Sequence, residues 1–519
     1  MKINNKIILL AMLVMMIACV SAVSATDIES SDDVSDIMEV DEGTGIVEDV
    51  AIDDNAEEVA DDVIDDSANK VIDEGNLRNG PANINTDTNI YNFFDSQGNL
   101  LSNTSSTLTF DGDFYKTNYT FTNFKINRAV TINAPTATFN DMGFEISNAN
   151  GVILNGGTFV INAPSAQDCY AITVDNADNT KILNNNIDYT CGHANAANYN
   201  YVIKVTNSLK VEIDNNTITA SLPLKDIDWS QYPAGYPGIA YDKVAGVAVE
   251  NASEFRFTNN VLNVTGHLRS GYTPTLDALL VVKCPDSYIE GNKIYENDDV
   301  TTAEQTNYLY AVDVYQSNNM KIRNNVIELN SGSGNLTVNG TGGAYGIQLS
   351  GPHTGVIVSG NNITTANNGP NLGIYSQSPA NSGSVQITNN RIEVTGRSGD
   401  NPWALVSGIE VQDANAEITG NIVKVHDVNG HAYGNYIYGI SYAQNIGGNH
   451  TLNIRNNTVE VLDGEYAVHI LSGISCNVCN NKLVAKYKGD NSVDLNLTGN
   501  TVSGNYWWLI EFKFVLKVF

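Results

Sequence analysis

Aromatic side chains and carboxylates occur together in the long segments that separate the regular parts of this chain. The residues that combine these two chemistries are Trp229, Tyr232, Tyr236, Asp298, Asp299, Trp403 and Tyr433. A sugar packs its C–H faces on aromatic rings, and its hydroxyls need fixed acceptors such as carboxylates. These residue types therefore predict glycan contact, and they assign no catalytic residue.

The same segments could instead support catalysis, which needs a stricter arrangement. A Ca²⁺-dependent polysaccharide lyase needs two or three carboxylates on one ion and a basic side chain that removes a proton. The candidates for these roles are Asp226 or Asp228, Asp298 with Asp299, and Arg269. An inverting glycoside hydrolase needs two carboxylates about 6.5 to 9.5 Å apart. A purely structural interpretation, with Asp in turns and Tyr in edge packing, is also open. No cofactor is expected, and Ca²⁺ enters only with the lyase.

Five cysteines follow the N-terminal leader: Cys169, Cys191, Cys284, Cys476 and Cys479. Their odd number leaves at least one outside intramolecular disulfides. Cys476 and Cys479 have the spacing of half a zinc site, but no second pair accompanies them. Residues three apart on a strand point to opposite faces. The pattern predicts one core thiol and one surface thiol, and no metal site.

A short motif recurs about eleven times: Asn or Gly, then Asn, any residue, and a branched apolar residue. Its second position is Asn185, Asn216, Asn260, Asn292, Asn325, Asn361, Asn390, Asn421, Asn457, Asn481 and Asn500. The intervals range from 19 to 44 residues, a variation that argues against a helical array. Polar and apolar residues alternate around each Asn, which indicates short strands with one buried face. Asn tolerates positive φ, and its amide can bond to the same amide one coil away, so the column predicts an Asn ladder.

A further strand precedes the motif in each repeat. Tyr170, Tyr201, Tyr310 and Tyr466 each stand 15 residues before the Asn of their coil, and a branched apolar residue follows two positions later. Three strands per repeat of about 31 residues can stack as successive coils of one solenoid. The sequence therefore predicts an all-β fold, a right-handed parallel β-helix of about twelve coils with an Asn ladder.

The ends of the chain differ from the repeats. Residues 1–25 have the charged, apolar and small-residue order of a cleavable secretory signal. Residues 26–79 carry 20 acidic and two basic side chains and no aromatic ring, so a disordered acidic spacer is expected. The other expected boundaries are 80–128 for an N-terminal cap region, 129–505 for the β-helix and 506–519 for an apolar C-terminal tail. The net charge of −31 argues against nucleic acid and anionic membrane surfaces as partners. The only expected contact with a membrane is through the cleaved signal.

The Asn-x-apolar repeat of residues 129–505 resembles the right-handed parallel β-helix (PbH1) repeat superfamily, which includes pectate-lyase-like enzymes. Together with the export signal and the acidic leader, the chain is similar to the adhesin-like surface proteins of methanogenic archaea. This resemblance implies a secreted or cell-surface protein that binds cell-wall or host glycans or surface proteins, or that serves as wall structure. The alternative that it implies is a polysaccharide lyase or glycoside hydrolase of the pectate-lyase-like fold.

Eleven Asn-x-Ser/Thr sequons follow the leader. Those in the Asn ladder are expected to be buried by stacking. Asn263 and Asn339 are the better candidates for glycosylation, because both are expected in loops.

Overall fold

The computed structural model describes residues 82–163, 170–191, 200–223, 225–226, 244–267, 274–298, 308–331, 343–367, 369–378, 383–398, 405–428, 436–443, 450–470, 475–485, 493–495 and 501–507. All of them belong to one compact unit, Leu77–Phe519. They form 41 β-strands and two 3-10 helices, η1 (Ile90–Asn92) and η2 (Lys116–Asn118). Neither of these helices is long and apolar enough to cross a membrane. The predicted signal and acidic spacer, and the tail from residue 508, lie outside the described residues.

Sheet 1 has 27 strands, which flank one corner of each coil. Its first strands are β1 (Ala82–Asn85), β2 (Thr107–Tyr115) and β4 (Thr131–Asn140). The pre-corner strands are β6 (Ile153–Asn155), β9 (Lys181–Leu183), β12 (Glu212–Asp214), β16 (Arg256–Thr258), β19 (Tyr288–Glu290), β22 (Lys321–Arg323), β25 (Val356–Ser359), β28 (Ser384–Thr388), β31 (Asn415–Thr419), β34 (Thr451–Arg455), β37 (Ser475–Cys479) and β40 (Thr501–Ser503). The post-corner strands are β7 (Thr158–Ala163), β10 (Asn186–Cys191), β13 (Thr217–Pro223), β17 (Val261–His267), β20 (Lys293–Asp298), β23 (Val326–Asn330), β26 (Asn362–Ala366), β29 (Arg391–Gly396), β32 (Ile422–Asp427), β35 (Thr458–Val461), β38 (Lys482–Ala485) and β41 (Tyr506–Trp507).

Sheet 2 holds the remaining 14 strands. Thirteen of them follow one another in parallel: β3 (Asn123–Ile126), β5 (Gly143–Ser147), β8 (Ile172–Asp175), β11 (Asn200–Thr206), β15 (Val244–Glu250), β18 (Pro274–Val282), β21 (Tyr308–Tyr315), β24 (Gly343–Ser350), β27 (Asn371–Gln377), β30 (Val406–Gln412), β33 (Ile437–Ala443), β36 (Tyr466–Ile470) and β39 (Val493–Leu495). The fourteenth, β14 (Lys225–Asp226), pairs antiparallel with β18.

Twelve complete coils run from β5 to β41. Each coil contains one strand of sheet 2, then a pre-corner strand, then a post-corner strand. Every strand pairs in parallel with its equivalents in the neighbouring coils, as β13 does with β10 and β17. The predicted parallel β-helix of about twelve coils is therefore confirmed.

The interior is a series of stacked apolar side chains. Ile187 pairs in register with Phe159 on one side and Ile218 on the other, and all three are fully buried. Their neighbours along each strand point outward, so β10 alternates exposed and buried positions over its whole length. Burying one side chain of this size contributes about 1.5 to 3 kcal/mol. The strand alternation seen in the sequence thus places the core inside the coils.

A two-residue corner joins each pre-corner strand to its post-corner strand. The first corner residue has positive φ, as at Asn184 (φ 56°) and Gly360 (φ 67°). Gly adopts this conformation without a steric cost and Asn tolerates it better than most residues, which explains the Asn-or-Gly preference of the motif. Where Gly is the first corner residue, an added Cβ atom would lie close to Oδ1 of the first corner Asn one coil earlier. The distance from such a Cβ at Gly360 to Oδ1 of Asn324 is 2.5 Å.

The second corner residue belongs to a continuous Asn ladder. The backbone N and the Nδ2 of Asn325 both donate to Oδ1 of Asn361, each at 2.9 Å. Nδ2 of Asn361 also donates to the carbonyl of Ile322 at 2.9 Å. The same pattern links Asn185, Asn216, Asn260, Asn292, Asn325, Asn361, Asn390, Asn421, Asn457, Asn481 and Asn505. Each buried amide thereby meets its hydrogen-bonding needs.

The last rung of the ladder differs from the prediction. Asn481 donates to Asn505, whereas the motif pointed to Asn500, which lies outside the described residues. Both positions follow a Gly, but Asn500 has Val502 two residues later and Asn505 has Trp507, so the motif favours Asn500. Asn505 follows Asn481 by 24 residues, as Asn481 follows Asn457, and Asn500 follows by only 19. The shorter interval leaves too few residues for a coil with three strands.

Phenylalanine rings fill the first coils. Phe124 packs against Phe94, Phe110 and Phe144, with centroid distances of 4.9, 5.4 and 5.2 Å. Strand β1 already pairs in parallel with β2 from Ala82 onward. Stacking of sheet 1 therefore begins within the segment that the sequence assigned to a cap.

Candidate functional site

Most of the predicted glycan-contact residues lie outside the part of the chain that the structure describes. Trp229, Tyr232, Tyr236, Asp299, Trp403 and Tyr433 lie outside the described residues, as do Asp228, Arg269 and the sequon residue Asn339. Asp298 is the exception, and it ends β20 at a buried position instead of projecting from a loop. Ser331 in the next coil donates a hydrogen bond to Oδ2 of Asp298 at 3.0 Å. Asp298 therefore faces its own coil stack.

The structure draws attention instead to the outward side of sheet 2. Four consecutive strands, β21, β24, β27 and β30, present two rows of polar and aromatic side chains there. We call this surface the tyrosine face; it consists of Tyr310 and Tyr345 in one row and Asp313, Gln348, Tyr375 and Glu410 in the other. The three tyrosines are half-buried and the two carboxylates are buried. Rings and acceptors thus lie side by side on adjacent strands.

The rings of the tyrosine face contact one another. Tyr310 and Tyr345 are stacked, with centroids 5.0 Å apart and planes 21° apart. Tyr375 meets Tyr345 edge-on at 5.7 Å. Nε2 of Gln348 donates to Oδ1 of Asp313 at 3.3 Å. Contacts of this kind hold each ring in one orientation, which lowers the entropy cost of binding a ligand on it.

Glu410 has the most distinctive chemistry on this face. Burial raises the pKa of its carboxyl from 4.5 to about 7. Nε2 of Gln412 donates to Oε1 at 2.5 Å and partly offsets this effect. The Glu410 charge in turn contributes to raising the pKa of Tyr345 and Tyr375, for which burial is the main cause. Glu410 can therefore hold a proton near neutral pH.

The two carboxylates of the tyrosine face do not form a hydrolase pair. Asp313 and Glu410 occupy one row with Gln348 and Tyr375 between them. Three strand spacings place them about 14 Å apart. This separation exceeds the roughly 6.5 to 9.5 Å that an inverting glycosidase needs. The arrangement favours binding over hydrolysis at these two residues.

A second acidic group lies inside the coils. Glu296 of β20 is fully buried, at a position where neighbouring coils carry Val264 and Leu329. Burial first, and then the charges of Asp277 and Asp298, raise the pKa of Glu296 well above its usual value, while the backbone amide of Tyr310 lowers it. Burial at this position therefore favours the protonated form of Glu296. The sequence signal for it was a carboxylate at an inward position of a strand.

Two further polar groups lie in the coils that follow, one on sheet 2 and one at sheet 1. His469 stacks against Tyr438 at 4.4 Å and against Tyr466 at 5.2 Å. At the end of β32, Nδ1 of His426 lies 2.5 Å from Oδ2 of Asp463, and 46% of the His426 side chain is exposed. The backbone N of Asp427 donates to the same oxygen at 3.1 Å. A His side chain paired with a carboxylate in this way is a group that can transfer protons.

The described cysteines and carboxylates form no metal centre. Within the described ranges no three His, Cys, Asp or Glu side chains converge as ligands of one ion. Cys476 is buried and Cys479 is half-buried on the opposite face of β37. Burial raises the pKa of the Cys476 thiol to about 12.

Asn263 of the sequon Asn263-Val264-Thr265 lies on β17, between Thr219 and Tyr295 of the neighbouring coils. It is half-buried and points outward, because Leu262 and Val264 on either side of it are buried. It therefore occupies a strand, whereas the sequence placed it in a loop.

Comparisons with known proteins give structural likeness only. No family model matches the chain, and no curated protein matches it. Among solved structures, a tailspike protein mutant of E. coli bacteriophage HK620 in complex with a pentasaccharide is similar over 82% of this chain and 70% of its own, with 13% identity and a TM-score of 0.32. The periplasmic alginate epimerase AlgG is similar over 82% of both chains, with 10% identity and a TM-score of 0.30. A tailspike receptor binding domain of Siphovirus 9NA covers 82% of this chain and 75% of its own, with 11% identity and a TM-score of 0.23.

Proposed function

We propose that this chain is a secreted or cell-surface β-helix protein that binds polysaccharide along the tyrosine face. The observation that carries the proposal is the run of Tyr310, Tyr345 and Tyr375 on three successive strands of sheet 2. Asp313, Gln348 and Glu410 occupy the same row as Tyr375. A parallel β-helix repeats its surface every 4.7 to 4.9 Å or so, and an extended polymer can lie across such a series of equivalent positions.

The chemistry of the face suits a carbohydrate. Half-buried rings offer apolar surface to sugar C–H groups, and the amide and carboxylates offer acceptors and a donor to hydroxyls. The predicted export signal and the resemblance to adhesin-like archaeal surface proteins favour cell-wall or host glycans as the ligands. Within that class, adhesion and wall structure both need a rigid support, which stacked coils supply.

Binding of the full chain to a panel of immobilised wall polysaccharides tests this proposal. Tyr345→Ala should weaken retention about fivefold to thirtyfold, because one ring contact is worth about 1 to 2 kcal/mol. Tyr295→Ala is the matched control, since Tyr295 is a half-buried, outward-facing tyrosine of sheet 1. Equal retention of the two variants and the unaltered chain would remove the tyrosine face from the proposal.

Polysaccharide cleavage is a second candidate function, and Glu410 is the observation that favours it. A carboxyl that carries a proton near neutral pH can act as a general acid. Ca²⁺ would be needed only for a lyase. Incubation with polyuronates and neutral glycans, with and without Ca²⁺, would show unsaturated products by ultraviolet absorbance or new reducing ends. Products that disappear in Glu410→Gln would establish the enzyme, and retention without products would favour binding.

A further inference from the structure

Three pre-corner strands carry a group of cations on the outward side of sheet 1. Arg256, Tyr288 and Lys321 are in register on β16, β19 and β22. The guanidinium carbon of Arg256 lies 4.7 Å from the centre of the Tyr288 ring, and Nζ of Lys321 lies 4.6 Å from it. Nζ of Lys321 also donates to the Tyr288 hydroxyl at 2.9 Å. Arg323 stands two residues beyond Lys321 on β22. We call Arg256, Lys321 and Arg323 the basic cluster.

The cations of the basic cluster lack carboxylate partners among the described residues. Three other cations of sheet 1 are paired: Lys181 with Glu212 at 2.6 Å, Lys424 with Glu393 at 3.7 Å and Arg455 with Glu417. The carboxylates that pair in register with the cluster serve other groups. Glu212 beside Arg256 bonds Lys181, and Glu290 beside Arg323 accepts from Asn324 at 3.4 Å.

The positive charge also acts on the tyrosine between the cations. The pKa of Tyr288 is lowered, first by its hydrogen bond with Lys321 and then by the charges of Lys321, Arg256 and Arg323. Two cations against one ring and a third nearby, all without a carboxylate partner among the described residues, are unexpected in a chain with 58 acidic and 27 basic side chains. The Tyr288 ring lies between two of them and fixes their positions, which prepares them for an anion.

We propose that the basic cluster binds carboxylate groups of an acidic polysaccharide, a uronan. Arg and Lys recognise carboxylates by charge-assisted hydrogen bonds, and the Arg fork can take a carboxylate in a bidentate manner. A uronan carries about one charge per sugar and can place a few of them on a small cluster. Duplex DNA carries one charge per roughly 1.7 Å and would meet the acidic surface around the cluster. This site lies on sheet 1 and does not depend on the tyrosine face.

Binding of the full chain to polygalacturonate, with neutral dextran and duplex DNA as competitors, tests the proposal. The triple variant Arg256→Gln/Lys321→Gln/Arg323→Gln should bind polygalacturonate about tenfold to a hundredfold more weakly, because each exposed charge pair contributes a factor of about two to five. Its affinity should also depend less steeply on salt concentration. The matched control is Lys424→Gln/Arg455→Gln, which removes two paired cations from the same sheet, away from the cluster, and should bind like the unaltered chain.

Other outcomes would overturn the proposal. Unchanged affinity in the triple variant, or an equal loss in the control, would show that the cluster is not the site. Competition by DNA as strong as that by free polygalacturonate would point to nucleic acid instead. Should the triple variant fail to fold, Arg256→Gln alone is the fallback, since its exposed side chain leaves the core intact. Tyr345→Ala should leave this binding unchanged, so failure here is distinguishable from failure of the tyrosine face.

Discussion

Replacing Glu410 by Gln should remove a pH-dependent loss of stability. Glu410 is buried, and burial raises the pKa of its carboxyl from 4.5 to about 7. Between these values the folded chain binds the Glu410 proton more tightly than the unfolded chain does. Raising the pH through this interval therefore favours unfolding. The stabilising contribution is fully present below about pH 4.5 and is lost above about pH 7.

The size of the effect follows from the two pKa values. They differ by about 2.5, and one unit corresponds to about 1.36 kcal/mol, so the loss amounts to about 3 kcal/mol. Gln resembles the protonated acid in shape and does not titrate. Glu410→Gln should match the unaltered chain at pH 4.5 and be about 3 kcal/mol more stable at pH 8.

Thermal unfolding of the full chain at pH 4.5, 6 and 8 measures this difference. The other titrating groups are present in both proteins and cancel in the comparison. Glu393→Gln is the control, because Glu393 is 42% exposed and pairs with Lys424 on the surface. If the unaltered chain and Glu410→Gln lost stability in parallel between pH 4.5 and 8, the burial argument for Glu410 would be refuted.

Three further predictions concern the coil structure. Asn361→Ala leaves the backbone N and Nδ2 of Asn325 buried without an acceptor. It should lower the free energy of unfolding, measured by thermal unfolding, by about 2 to 5 kcal/mol. Asn477→Ala, on the outward side of β37, is the control and should change that free energy by less than about 0.5 kcal/mol. Gly420→Ala, at φ 71° with its Cβ 2.4 Å from Oδ1 of Asn389, should cost about 1 to 3 kcal/mol; an unchanged melting temperature would contradict this. Iodoacetamide should modify half-buried Cys479 in the native chain and reach Cys476 only after unfolding, and mass spectrometry of labelled peptides would show equal labelling if the thiols were equally accessible.

The repeat was readable from the sequence because its physical causes are local. A positive φ at the corner restricts the first residue to Asn or Gly, and strand alternation marks the inward positions at Ile187 and Ile218. The last rung was misread at Asn500 because Val502 completes the local motif there, whereas Trp507 stands in that place after Asn505. Only the length of a whole coil favours Asn505.

The candidate site was much harder to predict. Tyr310 appeared in the sequence as a marker of strand position. Tyr375 stands 15 residues before its ladder Asn, as Tyr310 does, yet it pairs in register with Gln348 and not with Tyr345, because the segments between strands differ in length. Their contacts arise from the register of strands about 30 residues apart. The shifted pKa of Glu410 depends on burial in three dimensions, which strand parity alone does not reveal.

The direction of the Asn ladder has a consequence for how such genes can change. Each Asn donates to Oδ1 of the Asn one coil later, so every rung presents the same donors and the same acceptor to its neighbours. Recombination that removed the segment from Asn216 to Asn259 would bring Asn185 against Asn260 and leave the series intact. A breakpoint within a coil would leave two amide donors unmet. Unequal crossing-over in whole coils can therefore lengthen or shorten the solenoid while every corner is kept.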